Sequence, residues 1–140
     1  MNVIVENGAD STQVFEVVLV PISDNVTIHH PEGPTRSRVN HTVSEGFSNV
    51  NSGPYRNFED VLFPESARRH GNYTLTPGET VRRNVTEFSS GLAIVVVVHQ
   101  EDGGIIAFAS GTCTDSVFHA LNVSSYPNPD NGVSIVQTCG

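Results

Sequence analysis

The chain is 140 residues long with a formal net charge of -8 and a sequence pI near 5.0, which excludes nucleic acid and anionic membrane surfaces as partners because both demand a basic face. That length supports one domain, 1–140, with a single core. The longest apolar run, from Gly91 to Gln100, is far too short to span a bilayer.

Val3 and Val5, and then Val14 to Val20, flank the polar cluster Asn7-Gly8-Ala9-Asp10-Ser11, which reads as strand, turn, strand. Pro21 and Ser23-Asp24-Asn25 end or bend the second strand, and Val26 to His29 resumes it. The texture changes from His30 to Gly71, where Pro31, Gly33, Pro34, Gly46, Gly53, Pro54 and Pro64 interrupt the pattern. We read 30–71 as a long loop inserted in a β domain. It is expected to hold short edge strands and one helical turn over Asn57 to Phe63, in which Phe58, Val61 and Leu62 share a face before Pro64.

Order returns at Tyr73-Thr74-Leu75. The turn Thr76-Pro77-Gly78-Glu79 then leads into Thr80 to Phe88, whose alternation is that of a half-buried outer strand. Between Gly91 and Gln100 lies an unbroken β-branched run, Ile94 to Val98, the mark of a strand buried on both faces. With the Asp102-Gly103-Gly104 turn and the run Ile105 to Ala109 it predicts a central hairpin. Val117 to Val123 supplies a strand or short helix, Pro127 to Gly132 a loop, and Val133 to Gln137 a last strand. The fold class is all-β: an antiparallel β-sandwich of roughly seven to nine strands.

Two cysteines, Cys113 and Cys139, are read as a disulfide that pins the end of the chain in an oxidising compartment. Two buried thiols or half of a metal site are the competing readings. Sequons for N-glycosylation occur at Asn25, Asn40, Asn72, Asn84 and Asn122, a density that points to an extracellular or cell-surface glycoprotein. Met1 leads directly into a strand-like segment instead of a basic and then apolar leader, so the extracellular reading expects a mature or recombinant form.

All seven basic residues are arginines and tryptophan is absent; with the acidic excess, this resembles proteins of organisms that grow in concentrated salt. Val3 to Gly8, Val14 to Val20, Leu75 to Glu79, Val81 to Val85 and Leu92 to Val98 together resemble the small immunoglobulin-like β-sandwich domains of secreted and cell-surface proteins of halophilic archaea. The resemblance covers about half the chain, and 30–71 is the departure from it. It implies an immunoglobulin-like sandwich serving adhesion, assembly or display.

Chemistry-bearing patterns are few. A blue-copper site needs a thiolate, two imidazoles and an axial ligand, and here Cys113 and His119 are accompanied by Met1 as the lone methionine. His29, His30 and His41 are read as solvated, since neighbours on a strand point to opposite faces. Arg82 and Arg83 are divided between two faces for the same reason. We expect no enzyme, no cofactor and no metal. The leading expectation is a structural subunit that pairs with itself or with other surface proteins in a surface layer, filament or virion. Its candidate edge strands are Val3 to Val5 and Val133 to Val136, at the two chain ends, with Val3, Val5, Val133 and Ile135 singled out. The alternative is a monomeric module that grips carbohydrate or protein through Phe47, Tyr55 and Arg56 of the 30–71 loop.

Overall fold

The computed structural model describes residues 1–29, 38–42, 48–50, 60–86, 88, 90–113, 116–127 and 132–140. Among these, every regular element is a β-strand: β1 (Asn2–Glu6), β2 (Gln13–Pro21), β3 (Asn25–His29), β4 (Arg38–Thr42), β5 (Ser48–Val50), β6 (Asp60–Leu62), β7 (Arg68–Leu75), β8 (Thr80–Asn84), β9 (Leu92–Gln100), β10 (Ile105–Thr112), β11 (Phe118–Ser125) and β12 (Val133–Cys139). They form an outer sheet in the order β12-β11-β1-β8, a central sheet β5-β10-β9-β2-β7, and a small sheet β4-β3-β6.

The central sheet is covered on both faces. On one face Val3, Val5, Leu121 and Val123 of the outer sheet pack with Phe15 and Val17 of β2 and with Ile94, Val96 and Val98 of β9. On the other, Val26 of β3 and the half-buried Val61, Phe63 and Ala67 pack with Val18, Val20, Ala93, Val95, Val97 and Phe108. Alternate residues of a strand face opposite sides, so β9 is apolar at consecutive positions because each side meets a separate core. Ala93 to Val98 are all at most 1% exposed, as the unbroken apolar run predicts. The hairpin it forms with β10 carries a bulge between Ile105 and Ala107.

The segment 30–71 supplies three short edge strands: β4 and β6 flank β3, and β5 borders β10. The helical expectation over Asn57 to Phe63 is corrected, because Asp60–Leu62 is a strand paired with β3; Asn57 to Glu59 lie outside the described residues. Val61 contributes to the second core as a strand residue, and three apolar positions within a five-residue stretch fit either period. Of Val117 to Val123, open between strand and helix, all but Val117 belong to strand β11.

A second correction concerns β1. It lies between β11, with which it pairs in parallel, and β8, with which it pairs antiparallel. Val3 and Val5 are therefore core residues of an inner strand, 1% and 0% exposed, and not edge residues. Sequence alternation is the same for inner and edge strands; which of them is an edge depends on partners 74 and more residues away.

Asn7 closes the end of β1. Its Nδ2 donates to the carbonyls of Ser11 (2.8 Å) and Leu75 (2.9 Å), and its Oδ1 accepts from Ala9 N (2.9 Å) and the Ser125 hydroxyl (3.3 Å). Its backbone receives Gly78 N and donates to Glu79 O. One fully buried amide thus joins β1, the turn after it, the β7–β8 turn and the end of β11. Gly8 follows because a Cβ there would stand 2.2 Å from the Ser125 carbonyl oxygen.

Cys113 and Cys139 form a disulfide with a Cα–Cα distance of 5.6 Å. It ties the last residue of β12 to the end of β10, and so the outer sheet to the central one. A loop of 26 residues constrains the unfolded chain by about 3 kcal/mol in the chain-entropy account. We expect the double variant Cys113→Ser/Cys139→Ser to stay folded with a melting temperature lower on the order of 10 °C, read by calorimetry.

His70 is the extra residue in a bulge where β7 meets β2, between the pairs Val17–Gly71 and Val18–Arg69. Its ring lies 3.0 Å from the Tyr73 hydroxyl and meets Phe88 edge-on at 5.2 Å, and Phe88 meets Phe118 at 6.2 Å. Burial pushes the His70 imidazole below its ordinary 6.5. Between that lowered value and 6.5 the unfolded chain binds more protons than the folded one. The His70 contribution is therefore fully present above 6.5 and is lost as pH falls through that window. The drop in denaturant midpoint from pH 7.5 to pH 5 should be smaller in His70→Gln than in wild type.

Candidate functional site

Among the described residues each sheet ends in strands with one free side, and the edge of the outer sheet at β12 is one of these. Antiparallel pairing with β11 runs from Val133–Ser125 to Cys139–Phe118, and the other side of β12 has no strand partner among the described residues. An unpaired strand edge presents a row of N–H and C=O groups that template another strand. β12 is also held in place. Gln137 Nε2 donates to the Thr112 carbonyl at 3.2 Å, Gly140 N donates to Val117 O at 3.2 Å, and the disulfide fixes Cys139. Val133 and Ile135 face inward and join the main core. Of the two residues sequence analysis singled out at this edge, both anchor the strand, and neither is displayed.

The displayed residue is Val136, 56% exposed. Register places Val136, Asn122, Ile4 and Arg82 in one row across the outer face of the sheet, with Ser134, Ser124, Glu6 and Thr80 on one side and Thr138, Ala120, Asn2 and Asn84 on the other. This is a largely polar face, with Glu6 and Arg82 charged, around the aliphatic Val136 and Ile4. Arg83, on the opposite parity from Arg82, approaches Tyr73, and its positive charge counters the rise that burial imposes on the Tyr73 hydroxyl.

Asn25, Asn72, Asn84 and Asn122 are all exposed. Asn84 and Asn122 share the outer face just described; Asn72 lies on β7 and Asn25 opens β3. Asn40 is in β4, and its side chain lies outside the described residues, as do those of His29 and His41. Phe47, Tyr55, Arg56 and His30 are outside them altogether.

Sequence reasoning missed the polar cluster on the uncovered end of the central sheet's second face. Glu16 accepts from Arg69 through Oε1 at 3.0 Å and faces His99 Nε2 through Oε2 at 3.1 Å, and His99 Nδ1 lies 3.4 Å from the Gly103 carbonyl. Both carboxylate oxygens are engaged, so the cluster braces β7, β2 and β9. No signal marks it in the sequence, since its members lie 30 and 53 residues apart. Cys113 is committed to the disulfide and offers no thiolate to a copper ion. Among the described residues no group of three or more His, Cys, Asp or Glu side chains is placed to hold a metal ion, and no helix is long and apolar enough to cross a membrane. Comparison with protein-family models, with curated proteins and with solved structures gave no match.

Proposed function

We propose that this protein is a non-enzymatic, extracellular structural subunit that associates with itself in a surface layer, filament or virion. The observation that carries this reading is β12: a seven-residue edge strand without a charged residue, covalently pinned, displaying Val136 to solvent. Such an edge extends a sheet by main-chain hydrogen bonds to an incoming strand. The disulfide supports an oxidising compartment, and the exposed sequon asparagines support a glycosylated surface in the halophilic setting that the arginine-only basic composition suggests. Packing of the outer on the central sheet supports an immunoglobulin-like sandwich, to which the small sheet and 30–71 are additions.

The test is to blunt the edge without touching the core. Val136→Lys places a charge beside the unpaired strand, and charged side chains discourage edge pairing. At the same protein concentration, light scattering should show the variant shifted to monomer, with an unchanged melting temperature because position 136 is exposed. Association undiminished in the variant would contradict β12 as the assembly edge.

A further inference from the structure

The five sequons are not scattered at random over the strands. Four edge strands of the fold have five or more residues among the described ones: β4 in the small sheet, β7 in the central sheet, and β8 and β12 in the outer sheet. Asn40 lies on β4, Asn72 on β7 and Asn84 on β8. β12 carries no sequon. Charge divides the edges in the same way: β7 contains Arg68 and Arg69, β8 contains Arg82 and Arg83, β4 contains Arg38, and β12 is neutral.

We propose that N-linked glycans on Asn40, Asn72 and Asn84 close their three edges to strand pairing, so that, of the edges of five or more residues, the molecule pairs with a second copy through β12, antiparallel and about a two-fold axis; β5 and β6, of three residues each, are too short to hold a partner strand. This rests on the reading of the protein as a self-associating subunit and names both its partner and what restricts it.

The chemistry is the transfer of an oligosaccharide from a lipid-linked phospho-sugar. The asparagine Nδ2 forms a bond to the anomeric carbon, the bond from that carbon to the phosphate oxygen breaks, the lipid phosphate leaves with the electron pair, and the amide proton passes to a base of the transferring enzyme. Its effect follows from sheet geometry. A strand that joins an edge puts its side chains about 5 Å from those of the edge strand, so a glycan on the edge strand stands where the new neighbour's side chain must go. Asn122 is on β11, one strand behind β12, and a glycan there is about 10 Å from a joining strand. It therefore leaves β12 open. Two copies meeting at β12 bring together uncharged strands in a chain whose overall charge of -8 otherwise repels its like. An isologous pairing of this kind is closed, so strand pairing ends at the dimer, and the layer, filament or virion is built from dimers through contacts other than strand pairing.

The test uses the full chain secreted from a host that N-glycosylates. Glycopeptide mass spectrometry should find Asn40, Asn72 and Asn84 occupied, and on dilution the smallest stable species should weigh twice the 15.1 kDa chain plus glycan. Removing the three sequons, by Asn40→Gln/Asn72→Gln/Asn84→Gln and separately by Thr42→Ala/Thr74→Ala/Thr86→Ala, should in both cases give open-ended species larger than wild type. Mixing Val136→Lys with Val136→Asp should restore dimers that neither forms alone. Bare asparagines at the three edges, or sequon-free variants with the wild-type size distribution, would overturn the glycan restriction and leave self-association standing. A mixture that stays monomeric would overturn the β12-to-β12 pairing. A glycosylated wild type that is monomeric at every concentration would overturn this inference and the proposed function together.

Discussion

Val95→Asp and Val96→Asp should each abolish folding, although the two side chains point to opposite faces of one strand. Val96 faces the core shared with the outer sheet and Val95 the core shared with the small sheet. Both sides are sealed, at 0% exposure. A carboxyl group in either place, ionised or held protonated without a hydrogen-bond partner, costs an amount comparable with the roughly 5–15 kcal/mol by which a domain of this size is stable. The milder pair Val95→Ala and Val96→Ala should each lose about 2–3 kcal/mol, measured by denaturant titration. In a sandwich of two sheets one of the two positions would face solvent and tolerate the change. A Val95→Ala variant with wild-type stability would show that the small sheet does not seal the second face.

Asn7→Ala should be nearly as damaging, although it removes only a small polar side chain. The substitution strips partners from the Leu75 and Ser11 carbonyls, Ala9 N and the Ser125 hydroxyl. Asn7 itself is 0% exposed, so water does not reach the vacated groups without opening the fold. Leaving several buried groups unsatisfied costs about 3–5 kcal/mol. Asn7→Asp should fall in the same range, because the acceptor bonds survive while both donor bonds are lost and a charge is buried. Hydrogen exchange should localise the damage to the ends of β1, β7 and β11. An Asn7→Ala protein within about 1 kcal/mol of wild type would show that the four bonds do not act as one clasp.

The sequence was readable where structure depends on nearby residues. The β9–β10 hairpin, the Thr76 to Glu79 turn, the alternation of β8 and the final strand all follow from periodicity and turn chemistry over a few positions. Double burial of β9 was legible for the same reason, since an uninterrupted β-branched run leaves no polar face. The pairing of Cys113 with Cys139 was one of three open readings and is the one found. What stayed hidden is set by distant partners. Nothing in Asn2–Glu6 tells that its neighbours are β8 and β11 and not solvent, so Val3 and Val5 were placed at an edge. Asn7 read as a turn residue, which it is, but its amide bonds to Leu75 and Ser125 lie 68 and 118 residues away. The residues over Asp60–Leu62 fit a helix or a strand until β3 supplies a ladder.

The candidate site shows the same division. β12 was picked out as an edge from its position at the chain end, but its outward residue, Val136, was passed over in favour of Val133 and Ile135, which the pleat turns inward. The relation between sequons and edges needed the sheet order. Asn40, Asn72 and Asn84 are equivalent in sequence to Asn25 and Asn122, and only topology separates strands with one free side from strands with none.

The most direct measurement is the size and shape of the native protein in concentrated salt, by light scattering followed by electron microscopy. Concentrated salt screens the acidic surface and leaves main-chain strand pairing intact, so the proposed function predicts ordered assemblies built from dimers. A uniform monomer of the 15.1 kDa chain plus the mass of its glycans, unchanged across protein concentration, would contradict it.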